Sequence, residues 1–183
     1  MRVITGSARG RRLRTLEGAS VRPTTERVKE ALFSIIQFDI EGRRVLDLFA
    51  GSGQLGIEAI SRGAAGATFV DAGADSLAVV KENIATVGFT KQSNVIRGDA
   101  VAFLNSTSAQ FDIALLDPPY GTGLLQKALE SIDRVMSESG IIICEHPIGE
   151  QLPDSFGRFT VHKQYRYGKL ALTVYRTGGA DDE

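Results

Sequence analysis

The chain has 183 residues, of which 43% are apolar and 23% are charged, so it can bury one substantial core but is short for two domains. Its formal net charge of −1 excludes a global electrostatic field that attracts nucleic acid or membranes, and any basic surface must be local. One cysteine excludes an intramolecular disulfide, and no apolar run reaches the roughly 18 residues that a membrane span needs, so we expect a soluble, cytoplasmic protein.

Residues 1–22 are predicted to form a basic N-terminal arm, either a loose hairpin or an extended segment. The arm carries six arginines against one acidic residue, and arginine suits bidentate contacts with phosphate. This composition favours RNA or DNA as a partner, with the candidate contacts Arg9, Arg11, Arg12, Arg14 and Arg22. A solvated charged terminus explains the same composition about equally well.

A helix is predicted to follow the arm and to anchor it. Thr24 is a candidate N-cap, and Glu26 places a negative charge in the first turn. Apolar residues recur at helical spacing over residues 28–36, which predicts one buried face. Arg27 and Lys29 lie off that face, and we expect both to be exposed.

Residues 45–61 are predicted to form a strand, a glycine turn and a helix. This order is typical of a nucleotide-binding turn. Gly51, Gly53 and Gly56 match the dinucleotide fingerprint literally, and Asp71 follows Gly51 by 20 residues at the end of a second apolar run. The spacing alone therefore does not separate nicotinamide from other nucleotide cofactors.

Asp47 distinguishes between two cofactor chemistries, because it places a carboxylate at the end of the first strand, just before the glycines. A pyrophosphate requires N–H donors and would be repelled by this acid. S-adenosylmethionine has no phosphate, and its sulfonium and ammonium groups are positive. We therefore favour a methyl donor, with a nicotinamide-dependent oxidoreductase as the alternative. A glycine turn that binds no ligand would not explain the charge at Asp47.

Further strands and helices alternate after the glycine turn. Strands are predicted at residues 67–71, 94–97, 111–117 and 141–145, and helices at residues 75–87, 100–104 and 125–135. Ser139 and Gly140 are predicted to form the turn that leads into the fifth strand. Cys144 lies in that strand's apolar run, which indicates a small core residue.

The chain ends differently from a dinucleotide-binding domain. Two alternating runs, at residues 159–165 and 170–174, flank a turn and predict an antiparallel hairpin. Five strands followed by a hairpin favour the class I methyltransferase form of the Rossmann-like α/β fold, a doubly wound, mostly parallel sheet of seven strands. The methyltransferase domain is predicted to span residues 23–176, and residues 177–183 a disordered tail.

The strongest chemical signal is the loop Asp117-Pro118-Pro119-Tyr120 after the fourth strand, where open α/β sheets bind ligands. The two prolines stiffen the loop and remove two backbone donors, which leaves it rich in acceptors. Asp117 and the Pro118 carbonyl can accept the hydrogens of an exocyclic amine, and Tyr120 can stack on a flipped base. These four residues are the predicted catalytic residues.

Other chemistries have little support. His146 and His162 lack ligands at metal-binding spacing, so we expect no metal and assign both residues to surface or turn positions. Glu145 ends the fifth strand, where it would either support the site or be solvated. Two histidines do not suffice for a convincing Ser-His-Asp or Cys-His constellation.

The chain resembles the bacterial RsmD-type methyltransferases, which methylate the exocyclic amine of one guanine in small-subunit ribosomal RNA. The resemblance covers nearly the whole chain. It is carried by Arg22-Pro23-Thr24-Thr25-Glu26-Arg27, Asp47-Leu48-Phe49-Ala50-Gly51-Ser52-Gly53, Asn83-Ile84 and Asp117-Pro118-Pro119-Tyr120. The glycine loop is common to many methyltransferases, whereas the arginine-proline-threonine helix start combined with the proline loop is much more specific.

The resemblance implies a set of cofactor contacts. The methionyl part of S-adenosylmethionine would meet Asp47, Phe49, Gly51, Ser52 and Gly53. Asp71 with Ala72 would hold the ribose, and Asp99 with Ala100 would meet the adenine, although Asp99 could simply cap the next helix. The family often has glutamate at position 71 and another acid at position 73, where this chain has Asp71 and Gly73.

Three classes of function remain: an aminomethyltransferase, an oxidoreductase and a silent RNA-binding module. The first is favoured, and the resemblance implies a guanine in small-subunit ribosomal RNA, within assembled or assembling subunits. Methylation of adenine N6 in DNA or RNA is the alternative, since the same loop serves both bases. The oligomeric state is open, with a monomer favoured.

Overall fold

A computed structural model describes residues 1–16 and 26–178. Within these residues the α-helices are α1 (Glu26–Ile35), α2 (Gln54–Ser61), α3 (Ala74–Val87), α4 (Ala100–Ser106) and α5 (Leu124–Ile132). None of these helices has the length and apolar character needed to cross a membrane. Arg22, the predicted cap Thr24 and the end of the predicted tail lie outside the described residues.

The described strands are β1 (Arg44–Leu48), β2 (Gly66–Asp71), β3 (Ser93–Arg97), β4 (Phe111–Leu116), β5 (Met136–Pro147), β6 (Ser155–Phe156), β7 (Phe159–Tyr167) and β8 (Leu170–Thr177). They form one sheet in the order β3-β2-β1-β4-β5-β8-β7-β6. Strands β1 to β5 are parallel, whereas β8 runs antiparallel to β5, and β7 to β8. The predicted mostly parallel α/β fold with a terminal antiparallel hairpin is therefore confirmed.

Two details of the sheet differ from the prediction. The sheet has eight strands in the described residues, because the two-residue strand β6 pairs with the start of β7. So short a strand has no periodicity that a sequence pattern can reveal. Strand β5 begins at Met136, which pairs with Phe111, and the register between β4 and β5 shifts before Ile113. The predicted turn at Ser139 and Gly140 is thus an irregular part of the strand.

The sheet separates two apolar layers because successive side chains of a strand point to opposite faces. Val45 of β1 packs in the layer that contains residues of α1, α2 and α3. Leu46 and Leu48 pack in the opposite layer, with residues of α4 and α5. Cys144 is fully buried in this second layer, as predicted, and burial raises the pKa of its thiol.

Residues 1–16, which we call the N-terminal hairpin, fold back on themselves and pack against the domain. The backbone N–H of Val3 donates to the Arg11 carbonyl, and that of Gly10 donates to the Val3 carbonyl, both at 2.9 Å. Val3, Ala8 and Leu13 are buried in the layer of α1 to α3. Of the two forms that the sequence left open, these residues adopt the hairpin, and its apolar side chains are docked on the domain.

A buried carboxylate fastens this hairpin to α2. Glu58 is fully buried and accepts hydrogen bonds from the backbone N–H groups of Ile4 at 2.9 Å and Thr5 at 3.0 Å. The side chains of Lys29 and Arg62 lie 3.4 and 2.9 Å from its oxygens. The prediction that Lys29 is exposed is wrong, since it is 1% exposed; burial lowers the pKa of Lys29, and Glu58 partly offsets this shift.

Candidate active site

A cavity of about 400 Å³ opens at the carboxyl ends of β1, β2 and β4, where the parallel strands meet the loops that follow them. The structure brings most of the predicted catalytic and cofactor-binding residues to this cavity: Phe49, Gly51, Asp71, Ala72, Asp99, Ala100, Asp117 and Pro119. The residues of these two groups that do not line it are Asp47, Ser52, Gly53, Pro118 and Tyr120.

Several residues of the cavity wall were missed in the sequence analysis: Leu16, Val70, Ser76, Gly98 and Leu124. Val70 and Gly98 directly precede predicted contacts at strand ends, so their positions could have been found by adjacency. Leu16 carries no comparable signal, because it belongs to the segment before α1 and reaches the cavity only through the docking of the N-terminal hairpin.

The glycine loop, residues 49–53, has an unusual backbone. Phe49 has a φ of 68°, and it is the one non-glycine residue of the described chain with a positive φ. Gly51 and Gly53 follow with φ values of 58° and 82°. Since a bulky residue in this region is strained, the surrounding structure must hold the loop in place. Phe49 itself lines the cavity.

Asp71 supplies part of that support. Its Oδ2 accepts from the Gly51 N–H and its Oδ1 from the Gly73 N–H, each at 2.9 Å. The carboxylate therefore joins the loop after β1 to the loop after β2. Each oxygen retains a second lone pair, and Asp71 lines the cavity, so the same group can still accept from a cis-diol.

Steric crowding explains why a glycine suits position 73. A Cβ at this position would lie 3.2 Å from Oδ1 of Asp71 and 3.1 Å from Oγ of Ser76. These distances are tighter than ordinary contacts, so a side chain here would press on the carboxylate. This chain thus combines glycine at position 73 with the shorter acid at position 71. The Asp71 carboxylate lies against the backbone of the turn, where it accepts from the Gly73 N–H.

Asp47 lies beneath the glycine loop rather than in the cavity. Its side chain is 1% exposed, and its Oδ2 accepts a 2.9 Å hydrogen bond from the N–H of Gly56 in α2. Burial raises the pKa of Asp47 well above its usual value. The Gly56 hydrogen bond opposes this shift, and the carboxylates of Asp117 and Asp71 add to it. The structure therefore places Asp47 outside the cavity, where its carboxyl group binds the first turn of α2.

Gly56 allows α2 to pack closely on β2. A Cβ at Gly56 would lie 2.3 Å from Cε1 of Phe69, which is fully buried. The third glycine of the fingerprint is therefore required by helix-to-strand packing, as in dinucleotide-binding turns.

Asp99 caps a helix and also lies in the cavity wall. Its Oδ2 accepts from the Ala102 N–H at 2.9 Å, so Asp99 is the N-cap of α4. Asp99 and Ala100 also line the cavity, at its edge beside β3. The cap fixes the position of the carboxylate that faces the cavity.

The proline loop, residues 117–120, forms the opposite wall. Asp117 and Pro119 line the cavity, and the Tyr120 hydroxyl donates to Oε1 of Glu145 at 3.3 Å. Glu145 is 1% exposed, so it is not a solvated strand end. This buried carboxylate in β5 restrains the ring of Tyr120 next to the acceptors of the loop.

The two histidines differ in burial, since His146 is buried and His162 is exposed. Within residues 1–16 and 26–178, no group of three or more His, Cys, Asp or Glu side chains could hold a metal ion. His146 is 1% exposed, with Nδ1 2.9 Å from the Pro147 carbonyl and Nε2 2.7 Å from Oγ1 of Thr173. The surface or turn role predicted for His146 is wrong, since the ring bridges β5 and β8 inside the protein.

The arginines of the N-terminal hairpin fall into two groups. Arg11 donates to the Thr86 carbonyl, and Arg14 lies 2.6 Å from the Glu82 carboxylate, so both side chains contact α3. Arg9 and Arg12 are exposed and form no salt bridge within the described residues. The latter two are therefore the arginines of the hairpin best placed to contact an external phosphate.

The family described as conserved hypothetical protein 95 matches residues 1–176 of the chain. The Bacillus subtilis protein YlbH, provisionally named an rRNA methyltransferase, is 40% identical over 98% of this chain and 100% of its own length. Ribosomal RNA small subunit methyltransferase D of Escherichia coli K12 is 32% identical over 96% of this chain and 89% of its own length.

Solved structures show the same architecture. The Escherichia coli protein YhhF, provisionally described as a methyltransferase, superposes with a TM-score of 0.87 at 32% identity, over 97% of each chain. The methyltransferase SMU.776, crystallised with S-adenosylhomocysteine, shares the fold at 16% identity, with a TM-score of 0.71 over 85% of this chain and 50% of its own. The fold is thus that of the S-adenosylmethionine-dependent methyltransferases.

Proposed function

The chain belongs to the family described as conserved hypothetical protein 95, the RsmD family of methyltransferases, and from this premise we propose that it methylates the exocyclic amine of a guanine in small-subunit ribosomal RNA. The methyl donor is S-adenosylmethionine. The name of the Escherichia coli relative supports the small-subunit substrate. The choice of guanine over adenine rests on the resemblance to the RsmD type.

One observation supports the chemistry above all others: the glycine loop and the proline loop face each other across one cavity. The carboxylates of Asp71, Asp99 and Asp117 line this cavity, so it is complementary to hydroxyl groups and positive charge rather than to phosphate. S-adenosylmethionine, which has a diol and two cationic groups, fits this set of acceptors and supplies an already activated methyl group.

The chain's own residues then position the target amine. Asp117 and the Pro118 carbonyl accept its two hydrogens, which directs the nitrogen lone pair toward the cavity. Tyr120, restrained by Glu145, offers its ring to the flipped base. Because an activated methyl needs no strong general base, positioning contributes most of the rate.

The substrate is a preassembled ribonucleoprotein rather than naked RNA. Sequence-specific RNA recognition usually relies on modules that read splayed bases, whereas this chain uses nearly all of its described residues for the cofactor fold. Arginine contacts with phosphate position the enzyme but carry little sequence information. The shape of an assembled or assembling subunit therefore selects the guanine, in the cytoplasm.

The decisive experiment combines the purified protein with labelled S-adenosylmethionine and small subunits from a strain that lacks the gene. Mass spectrometry of the nucleosides should detect N2-methylguanosine, with higher yield on subunits than on protein-free RNA. Detection of N6-methyladenosine would replace guanine by adenine as the target. Absence of any methylated nucleoside, in a preparation that binds S-adenosylhomocysteine, would refute the substrate class.

A further inference from the structure

We propose that Asn83 is a positioning residue that couples docking of the N-terminal hairpin to the conformation of the glycine loop, and so links substrate engagement to cofactor binding. This inference rests on the proposed function and concerns regulation of the same site.

Asn83 lies in α3 and is 1% exposed. Its Oδ1 accepts from the Arg14 N–H at 2.7 Å, and its Nδ2 donates to the Arg14 carbonyl at 2.9 Å. The same Nδ2 donates to the Ser52 carbonyl at 2.9 Å. One side chain therefore joins the end of the hairpin to the middle of the glycine loop, and its amide uses both donors.

The glycine loop depends on α3 for support. Ser52 stands between Gly51 and Gly53, which both have positive φ values, and its carbonyl is held by Asn83. The Cα of Gly53 also faces α3, since a Cβ there would lie 3.3 Å from the methyl groups of Val80. Loss of the Asn83 donor would free one carbonyl of a loop whose backbone is strained at Phe49.

The N-terminal hairpin, which Asn83 connects to the glycine loop, also contributes to the cavity wall. Leu16, two residues after Arg14, lines the cavity together with Phe49 and Gly51. The hairpin also carries Arg9 and Arg12, which face solvent. RNA that contacts these arginines and the domain surface at the same time can do so only with the hairpin docked, so it would favour the state that places Leu16 in the cavity wall.

Docked and undocked hairpin are the two states that this coupling requires. A cofactor that binds the completed cavity favours the docked state, and RNA that binds the docked arginines favours it too. Linkage is reciprocal, so each ligand should raise the affinity for the other. Asn83 carries the connection because it contacts both segments directly.

The first test uses the wild-type protein with S-adenosylhomocysteine. Hydrogen exchange should slow at the hairpin amides of Val3, Gly10, Leu13 and Arg14 when the compound is bound, although none of these amides lies in the glycine loop. If the compound binds and the exchange of these amides does not change, the inference fails while the proposed function stands. If the compound does not bind, the proposed function itself fails.

The second test compares Asn83→Asp with Glu82→Gln. Asn83→Asp keeps the acceptor for the Arg14 N–H but removes the donors to Arg14 and Ser52. Glu82→Gln breaks the exposed ion pair between Glu82 and Arg14 without touching the glycine loop, and is the matched control. Asn83→Asp should weaken S-adenosylhomocysteine binding about tenfold, the effect of one or two lost hydrogen bonds.

Measuring the coupling between the two ligands distinguishes the proposed role of Asn83 from a merely structural one. In Asn83→Asp, bound S-adenosylhomocysteine should no longer slow exchange in the hairpin or raise the affinity for small ribosomal subunits. Both effects should persist in Glu82→Gln. Equal coupling in Asn83→Asp and the wild type, at any melting temperature, would overturn the inference, and so would its loss in Glu82→Gln.

Discussion

The N–H of Gly56 donates a 2.9 Å hydrogen bond to Oδ2 of Asp47, which is 1% exposed. Asp47→Ala would leave this buried donor without its partner and should lower the free energy of unfolding by about 1–3 kcal/mol. Asp47→Asn retains an oxygen acceptor in a side chain of the same size and should lose less stability than Asp47→Ala. Urea unfolding at pH 5 would rank the variants, and equal stability of Ala and wild type would contradict the assignment.

The difference in stability between the wild type and Asp47→Asn should change with pH in one direction. Burial raises the pKa of Asp47 in the folded protein above the unfolded value of about 3.9. Its contribution to stability is complete below pH ~3.9 and is lost as the pH rises through the raised pKa. Between pH 4 and pH 8 the wild type should therefore lose stability relative to Asp47→Asn. If the difference in unfolding free energy between the wild type and Asp47→Asn stays constant over this range, Asp47 ionises normally.

Asp117→Ala should reduce turnover about 100-fold or more and change the affinity for S-adenosylhomocysteine much less. The carboxylate is proposed to orient the amine, an interaction used mainly in the transition state. Asp112→Asn is the control: Asp112 lies at the opposite end of β4, where Arg44 binds its carboxylate at 3.1 Å. Single-turnover kinetics and calorimetry would separate the two effects. Full turnover in Asp117→Ala would exclude this role.

Tyr120→Ala should raise the KM for the RNA substrate, because base stacking on an aromatic ring contributes about 1–3 kcal/mol. Tyr120→Phe keeps the stacking ring and loses the 3.3 Å hydrogen bond from its hydroxyl group to Glu145, so its KM should stay close to the wild-type value. Steady-state kinetics on small subunits would measure both. A similar KM increase in Phe and Ala would assign the role of Tyr120 to its hydroxyl group.

Arg9→Gln combined with Arg12→Gln should weaken substrate binding and flatten its salt dependence by about 1.4–1.8 in the slope of log K against log salt concentration. Arg11→Gln combined with Arg14→Gln removes the same charge, but these side chains contact α3, so it should mainly loosen the hairpin. Filter binding at several salt concentrations, with hydrogen exchange as the second measurement, would distinguish the pairs. Identical salt slopes in the first variant and the wild type would assign Arg9 and Arg12 to a solvated terminus.

Local patterns predicted the parts of the site that follow directly from strand ends. Asp71, Asp99 and Asp117 each follow an apolar run, and the carboxyl ends of parallel strands meet at one edge of the sheet. Gly51 and Gly53 were recognisable because few residues other than glycine adopt a positive φ. The mostly parallel sheet followed from the alternation of strands and helices, and its antiparallel end followed from the two alternating runs at residues 159–165 and 170–174.

Contacts between distant segments were not predictable in this way. Asp47 reads as a site residue because it precedes the glycines, yet the alternation along β1 turns it under the loop toward α2. Lys29 reads as solvated because its partner Glu58 belongs to another helix. Leu16 reaches the cavity only because the hairpin docks on Asn83. Each of these positions depends on tertiary packing that no local period encodes.

The buried pair of Lys29 and Glu58 constrains how the sequence can diverge. Replacing Glu58 alone by an apolar residue leaves Lys29 inside the protein without its carboxylate and the N–H groups of Ile4 and Thr5 without their acceptor, at a cost of about 3–5 kcal/mol, which is a large part of a typical domain's stability. Replacing Lys29 alone should cost less, because Glu58 keeps Arg62 and the two backbone donors as partners. Related chains should therefore lose Lys29 more readily than Glu58.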